Sequence, residues 1–326
     1  MRAPPQVQRF GDGRLHLQDG PIDLIIEAFG AEDAIELAYA AAWRRFQTVL
    51  DELCAELPLL RAAARPGASR PAGVVARRMA AAVAPFSATR FITPMAAVAG
   101  AVAEEILQAM TDAAPLRRAY VNNGGDIALH LMPNEQFSIG MVDRPDRPSL
   151  IGAATIAARH PVRGVATSGW RGRSFSLGIA DAVTILARTA AAADAAATLV
   201  ANAVDLPGHP AIDRAPASSR DPQSDLGERL VTIAVGALTP AEIDEALARG
   251  VAEAKRLKTL GAIEAAALRL CGETRLCGVE ARLYNGAKEG LRAKRNSPGN
   301  TGDSWMLRRF APRNDVVKKS KRHAVG

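Results

Sequence analysis

The sequence predicts an α+β protein, because strand-like and helix-like patterns of apolar residues alternate along its 326 residues. Polar and apolar residues alternate at 14–17, as in a half-buried strand, and apolar residues recur every three or four positions at 31–56, as on one face of a helix. A third stretch, 189–204, is rich in alanine and predicts a core helix. A chain of this length can bury the core of one large domain or of two smaller ones.

The N-terminal half begins with two predicted strands within residues 14–29. They are joined at 18–21, where Asp19-Gly20 supplies the positive-φ position that a tight hairpin needs. A helix is expected at 96–110, directly after the helix breaker Thr93-Pro94. The other elements expected up to residue 142 are helices at 31–56 and 73–83, a loop at 65–72, and strands at 119–121, 127–131 and 136–142.

The second half continues the alternation to about residue 270. After a Pro- and Arg-rich loop at 143–150, we expect a strand ending at 163–169, a buried strand at 181–187, the helix at 189–204, a linker at 205–226, a strand at 229–235, and helices at about 239–256 and 260–269. Periodicity fades from Cys271 onward. The chain is therefore predicted to consist of one domain at 1–275 and a disordered, basic tail at 276–326.

The net charge of +7 lies in the C-terminal part of the chain. Residues 271–326 carry a net charge of +8, and the preceding residues carry a net charge of −1. Such a tail is more typical of a solvated appendage than of an arm that binds nucleic acid, so a nucleic-acid partner is not expected.

Composition also argues against membrane and secreted proteins. No apolar run reaches the ~18 residues of a membrane helix, and residues 1–14 lack the apolar segment of an export signal. The three cysteines, Cys54, Cys271 and Cys277, are odd in number and lack zinc-ligand spacing. These features predict a cytoplasmic protein without a membrane partner, and they leave the oligomeric state open.

The segment Asn122-Asn123-Gly124-Gly125-Asp126 lies between two predicted strands. One interpretation is a tight hairpin turn, for which Asn-Gly between apolar runs is a strong signal. The other is a ligand site, in which the glycines let backbone N–H groups approach a phosphate or a ring. Asp126 would then contact a ribose or a heterocycle.

The segment Ala166-Thr167-Ser168-Gly169 ends a predicted strand with two hydroxyls and free amides, which suit phosphate binding. Arg171 and Arg173 follow and could neutralise a bound phosphate. The alternative is a polar turn with exposed arginines. A serine nucleophile lacks support, because GxSxG is absent and no histidine or acid stands at triad spacing.

Asp194 and Thr198 are spaced i, i+4 and therefore share one face of the alanine-rich helix. A carboxylate on such an apolar helix needs a partner or a cation if it points inward, and carboxylate plus hydroxyl oxygen suits Mg²⁺. The alternative is a solvent-facing pair. Gly100 lies inside a predicted helix, where a glycine costs roughly 1 kcal/mol against alanine, so close helix packing or a ligand is expected there.

The order and spacing of these segments resemble the ApbE superfamily, whose characterised members are FAD:protein FMN transferases. That family carries a helix-borne Gly-Ala/Tyr-Ala-Val segment, a strand ending in Gly-Gly-Asp, an Ala-Thr-Ser-Gly segment and a final Ala-Asp-x-x-Ala-Thr. The corresponding segments here are Gly100-Ala101-Val102, Gly124-Gly125-Asp126, Ala166-Thr167-Ser168-Gly169 and Ala193-Asp194-Ala195-Ala196-Ala197-Thr198. The resemblance covers residues 87–204, and the wider stretch 14–270 looks like an uncharacterised cytoplasmic branch of ApbE-like proteins.

The resemblance implies mixed sheets packed with helices, and a site for FAD and Mg²⁺. Asp194 and Thr198 would bind Mg²⁺ together with a backbone carbonyl near Ala101. The metal would polarise the FAD pyrophosphate so that FMN passes to a Thr or Ser hydroxyl of an acceptor protein. The residues implied in flavin binding are Gly124, Gly125, Asp126, Thr167, Ser168 and Gly169.

One segment departs from the family pattern. Transferases carry His-x-x-Asp-Pro before the metal helix, whereas the corresponding residues 173–181 contain neither His nor Pro. Asp181 is the candidate for the acidic position, so Asp181 and Asp194 are the candidate catalytic residues. Three interpretations stay open: a divergent FMN transferase, a flavin-pyrophosphate hydrolase, and a non-catalytic flavin-binding or assembly protein.

Overall fold

The computed structural model describes residues 2–142, 150–278 and 282–283. Its strands are β1 (Gln6–Arg9), β2 (Leu15–Asp19), β3 (Ile22–Phe29), β4 (Arg118–Asn123), β5 (Asp126–Leu131), β6 (Gln136–Val142), β7 (Leu150–Ala157), β8 (Gly164–Ser168), β9 (Ala182–Ala187), β10 (Ile212–Pro216), β11 (Leu230–Val235), β12 (Ala265–Leu270), β13 (Glu273–Cys277) and β14 (Arg282–Leu283).

Its helices are α1 (Glu32–Ala55), α2 (Leu57–Arg61), α3 (Val74–Val83), α4 (Val98–Ala113), α5 (Ala190–Ala203), α6 (Ala217–Arg220) and α7 (Pro240–Thr259), with short 3-10 turns at Ala84–Phe86 and Pro94–Ala97. In the described part of the chain, none of the helices has the length and apolar character that a membrane span requires.

Three layers build the described part of the molecule. A nine-stranded sheet of order β1-β2-β3-β4-β5-β8-β9-β12-β13 forms the middle layer, and its neighbouring strands are antiparallel. One face of this sheet packs on the helices in the larger hydrophobic core. The other face packs on β6 and β7, which belong to a three-stranded sheet of order β14-β7-β6. Strands β10 and β11 form a separate pair.

Alanine makes the close packing of the central helix α5 possible. Its buried residues are mostly alanines, whose methyl groups let the helix approach β8, β9 and α4 closely. The predicted alanine-rich core helix is therefore confirmed, as are the α+β class, the hairpin at 18–21 and the long helix at 31–56.

Two predicted elements are wrong. Residues 260–269 were expected to form a helix, but β12 occupies Ala265–Leu270 and pairs with β9 on one side and β13 on the other. Alanine favours helices locally, yet the position between two strands decides the conformation. The predicted linker at 205–226 contains β10 and α6, because β10 finds its partner in the later strand β11.

The predicted domain boundary at residue 275 falls inside β13, which extends to Cys277. This strand pairs with β12 and forms one edge of the nine-stranded sheet. Residues 143–149 of the predicted loop at 143–150 and residues 279–281 and 284–326 of the predicted tail at 276–326 lie outside the described residues. The described part of that tail includes the end of β13 and the strand β14, so the prediction of disorder is wrong there.

Candidate functional site

The turn between β4 and β5 consists of Gly124 and Gly125, because Asn123 and Asp126 pair across it. Both glycines have positive φ, +67° and +116°, which side chains rarely allow. The Asn122 Oδ1 atom accepts a hydrogen bond from the Gly125 amide at 2.9 Å, and Asn123 Nδ2 donates to the Ala99 carbonyl at 3.2 Å. The predicted hairpin turn is confirmed, and the turn is tied to the beginning of α4.

Asp126 begins β5 and lies on the side of the sheet that faces the helices. Side chains alternate along a strand, and Ala128, two residues on, is part of the helix-facing core. Asp126 Oδ1 accepts a hydrogen bond from the Thr167 amide at 3.2 Å. The Gly-Gly-Asp turn and the Thr-Ser-Gly segment, separated by about forty residues in sequence, are therefore neighbours at the end of the sheet.

The two hydroxyl residues of β8 point to opposite faces of the sheet. Thr167 shares the side of Val165, which packs on β6 and β7, and its Oγ1 lies 3.0 Å from Thr184 Oγ1. Ser168 shares the side of Ala166, which faces the helices. Thr167 thus contributes its backbone amide to the Asp126 side of the sheet, whereas Ser168 can contribute its hydroxyl.

Helices α4 and α5 cross at Gly100, where their backbones are in direct contact. A Cβ atom on Gly100 would lie 2.3 Å from the Ala190 carbonyl oxygen and 2.7 Å from the Ala191 nitrogen. The expected packing role of Gly100 is therefore confirmed. Asp194 of α5 reaches across this contact, and its Oδ2 atom accepts a hydrogen bond from the Gly100 amide at 3.0 Å. The nearby Ala99 amide, like that of Gly100, lowers the pKa of this carboxyl group.

The carboxyl groups of Asp126 and Asp194 lie between the sheet and α5, close enough for the charge of Asp194 to affect the pKa of Asp126. Burial raises the pKa of Asp126 well above its ordinary value, and the neighbouring Asp194 carboxylate raises it further. Burial also raises the pKa of Asp194 to about 7, although the Gly100 and Ala99 amides lower it. Among the described residues, neither carboxylate has a Lys or Arg at ion-pair distance. We call this place the acidic pair.

Thr198 lies one helical turn beyond Asp194 on the same face of α5, and both side chains keep some accessible surface. The described residues contain no group of three or more His, Cys, Asp and Glu side chains that could hold a metal. Asp194 and Thr198 stay predictions as metal ligands.

The Ala101 carbonyl is the third predicted metal ligand, but the contact of Asp194 with α4 is made by a backbone amide. Ala101 is fully buried inside α4, and the backbone amide that donates a hydrogen bond to Asp194 is that of Gly100. Ala101 stays a prediction as a metal ligand.

Asp181 occupies a different environment, immediately before β9. Its Oδ1 atom accepts a hydrogen bond from Arg171 Nε at 2.9 Å, and its Oδ2 atom accepts one from the Cys271 amide at 2.6 Å. Gly169 packs against the same residue, since a Cβ atom on it would lie 2.5 Å from the Asp181 carbonyl oxygen. The Asp181 carboxylate thus links the loop that contains Arg171 to the β12–β13 turn. A catalytic role for Asp181 stays a prediction.

Sequence reasoning gave no role to Glu104, whereas it named Arg173 as a residue that could neutralise a bound phosphate. Glu104 of α4 accepts a hydrogen bond from the Ala191 amide at 2.7 Å, at the beginning of α5. Arg173 places Nη1 4.0 Å from the position of a Cβ atom on Gly124. An acidic residue inside an apolar helix was the available signal for Glu104, whereas its partner could not be inferred from sequence spacing.

Comparison with known proteins places these residues in a family. The family model described as AbpE bacteria matches residues 7–276. A UPF0280 protein of Methanopyrus kandleri is 34% identical over 181 residues, covering 55% of this chain and 69% of that protein. A UPF0280 protein of Methanothrix thermoacetophila is 38% identical over 125 residues, covering 35% of this chain and 46% of that protein, so the match spans about half its length.

A solved structure is also among the proteins to which this chain was compared. The flavinyl transferase ApbE of Pseudomonas stutzeri, in its apo form, is 10% identical, with 85% of this chain and 96% of that chain covered and a TM-score of 0.39.

Proposed function

The chain belongs to the AbpE bacteria family within the ApbE-like superfamily, and from this premise we propose that it binds FAD together with Mg²⁺ at the acidic pair. We further propose that it cleaves the FAD pyrophosphate and passes FMN to a Thr or Ser hydroxyl of an acceptor protein.

The observation that carries the proposal is the meeting of Asp126 and Asp194 without a cationic side chain among the described residues. Two neighbouring carboxylates in a desolvated place disfavour each other's ionised form. A bound divalent cation would reverse this cost, because it favours both charges at once.

The donor set fits Mg²⁺ better than a softer metal. Asp126, Asp194 and Thr198 offer oxygen atoms only, and Mg²⁺ binds oxygen ligands and usually keeps positions for water and nucleotide phosphates. Zinc, by contrast, prefers Cys and His ligands, and these three residues offer neither.

The turn beside the acidic pair supports nucleotide binding. No described atom lies within 4 Å of a Cβ position on Gly125, so a ligand could approach the backbone there. Arg173 lies on the Gly124 side, and Ser168 lies on the helix-facing side of β8. These groups can bind a pyrophosphate through amides, a hydroxyl and a guanidinium.

The chemistry of the proposed transfer is a displacement at phosphorus. The acceptor hydroxyl oxygen bonds to the phosphorus of the FMN half and gives up its proton, the bond to the bridging oxygen breaks, and AMP leaves with that oxygen, its phosphate taking up the proton through solvent. A cation at this place would supply Lewis-acid polarisation of the pyrophosphate. Asp126 and Asp194 would hold it, and the Gly100 amide fixes the Asp194 carboxylate.

A second candidate function is flavin binding without catalysis. The observation that favours it is the environment of Asp181, the acidic residue of the segment that replaces His-x-x-Asp-Pro. Its oxygens are engaged with Arg171 and the Cys271 amide, so this segment offers no unengaged carboxylate for proton transfer.

One experiment tests both candidates. FAD is titrated into the purified protein with and without Mg²⁺, with flavin fluorescence as the measure of binding, and AMP release is followed by chromatography. Mg²⁺-dependent binding with AMP release supports cleavage of the FAD pyrophosphate, by transfer or by hydrolysis, and binding without AMP release supports the flavin-binding protein. If FAD does not bind under either condition, both candidates are contradicted.

A further inference from the structure

We propose that Glu104 is a positioning residue that holds Asp194 in place for cation binding. This inference rests on the proposed function of the acidic pair, and it concerns a residue outside that pair.

The two crossing helices cap each other. Asp194, in the second turn of α5, accepts from the Gly100 amide in the first turn of α4 at 3.0 Å. Glu104, in the second turn of α4, accepts from the Ala191 amide in the first turn of α5 at 2.7 Å. Amides in the first turn of a helix lack partners within that helix, so each carboxylate satisfies a group of the other helix.

This arrangement matters because large side chains do not separate the helices at the crossing. Gly100 meets the backbone of Ala190 and Ala191 directly. The carboxylate–amide hydrogen bonds therefore add to this close packing in opposing the sliding or rotation of one helix along the other. The Thr189 hydroxyl accepts from the next amide, that of Ala192, and so leaves the Ala191 amide to Glu104.

Glu104 is itself held from its other side. Its Oε2 atom lies 3.3 Å from Arg78 Nη1 of α3, in a largely buried position where the Glu104 side chain is 15% exposed. Ala191 and Asp194 are three residues apart and share a face of α5, so a shift of the first turn moves the Asp194 carboxylate. Glu104 thereby links the position of α3 and α4 to the metal-binding face of α5.

The test uses Mn²⁺ as the probe, with affinity measured by EPR of the free ion in the full chain. Glu104→Asp keeps the charge but shortens the reach toward Ala191 by one methylene, and Glu104→Gln keeps the reach and an acceptor oxygen. Outer partners of metal ligands typically change metal affinity by roughly 10–100-fold. We expect Glu104→Asp to weaken Mn²⁺ binding about tenfold, and Glu104→Gln to restore most of the affinity.

Glu105→Asp is the matched control. Glu105 is the next residue of α4 and pairs with Arg78 and Arg45, but its hydrogen bonds among the described residues do not reach α5. It should bind Mn²⁺ as the parent does. If Glu105→Asp weakens binding as much as Glu104→Asp, the effect comes from the ion-pair network in general and the inference is overturned.

Asp194→Asn in the same series distinguishes failure of the proposed metal site from failure of the role given to Glu104. If Asp194→Asn loses Mn²⁺ binding while Glu104→Asp retains parental affinity, the proposed site stands and the role of Glu104 is overturned. If the parent and Asp194→Asn bind Mn²⁺ equally, the proposed function fails and the inference about Glu104 falls with it.

Discussion

Glu104 and Asp194 hold equivalent places on two crossing helices, but their charges are balanced differently. Each carboxylate accepts a hydrogen bond from the first turn of the opposite helix. Glu104 has Arg78 beside it, and Arg78 belongs to an ion-pair network that continues through Glu105 to Arg45. Asp194 has the second carboxylate of Asp126 as its neighbour.

We propose that this difference separates a structural carboxylate, that of Glu104, from a carboxylate of a binding site, that of Asp194. A helix cap needs one acceptor, and a guanidinium compensates its charge, as at Glu104. At Asp194 the fold adds like charge in place of compensation, so the ligand-free protein keeps an electrostatic cost there. Perturbed carboxylates of this kind concentrate at functional sites, where a ligand relieves the cost.

The largest expected effect comes from Asp194→Asn, which keeps the acceptor oxygen for the Gly100 amide and removes the charge. Mg²⁺-dependent FAD binding should weaken by roughly a hundredfold or more, since losing one partner of a buried charge contact costs about 2–5 kcal/mol. The ligand-free variant should melt no lower than the parent, because the repulsion with Asp126 disappears. FAD titration with and without Mg²⁺, followed by a melting curve, measures both effects.

Thr198→Val is a smaller change at the proposed site than Asp194→Asn, because it removes one hydroxyl and keeps the side-chain volume. Its affinity should fall between those of the parent and Asp194→Asn. Equal Mg²⁺ dependence in all three proteins would show that Asp194 is a helix cap like Glu104, and the contrast between the two carboxylates would vanish.

Gly100→Ala changes the crossing of α4 and α5, which the carboxylates of Glu104 and Asp194 bridge. The added Cβ atom would meet the Ala190 carbonyl oxygen at 2.3 Å, so the helices must separate. We expect a loss of about 1–3 kcal/mol in the free energy of unfolding, as for other overpacked sites, despite alanine's better helix propensity. Denaturant unfolding measures the change.

Gly11→Ala is the control for that variant, since no described atom lies within 4 Å of its Cβ position and its φ is not positive. Similar stability in the two variants would mean that the α4–α5 contact adapts readily.

The pH dependence of stability gives a smaller, graded effect. The pKa of Asp194 is about 7 in the folded protein against an ordinary value of 3.8, so the folded state binds more protons than the unfolded state between these values. The free energy of unfolding of the cation-free protein should therefore fall as pH rises from about 4 to 7, by up to ~1.4 kcal/mol per pH unit for this group.

Melting temperatures at pH 5 and pH 8 test this expectation. The cation-free parent should melt higher at pH 5, Asp194→Asn should show a shallower difference, and Mg²⁺ should raise the melting temperature of the parent at pH 8. A parent and variant with the same pH profile would contradict ionisation of Asp194 as the cause.

The sequence predicted the elements that local patterns specify. Helix α1, the hairpin at 18–21, the Gly124-Gly125 turn and α5 follow from periodicity, from Asp-Gly and Asn-Gly signals, and from alanine content. The prediction of a helix at 260–269 was wrong because alanine favours helices locally, whereas β12 owes its conformation to two neighbouring strands.

The sequence also singled out Asp194 and Thr198 as candidate metal ligands by their i, i+4 spacing, and Asp126 as a candidate contact to a ribose or a heterocycle. Only the tertiary structure decided what surrounds these side chains. It placed Asp126 beside Asp194, turned the Thr167 hydroxyl to the opposite face from Asp126, and engaged Asp181 with Arg171. It also brought Glu104 to α5 across 87 residues of chain. Charge compensation depends on distances of a few ångströms between distant segments, which no local pattern encodes.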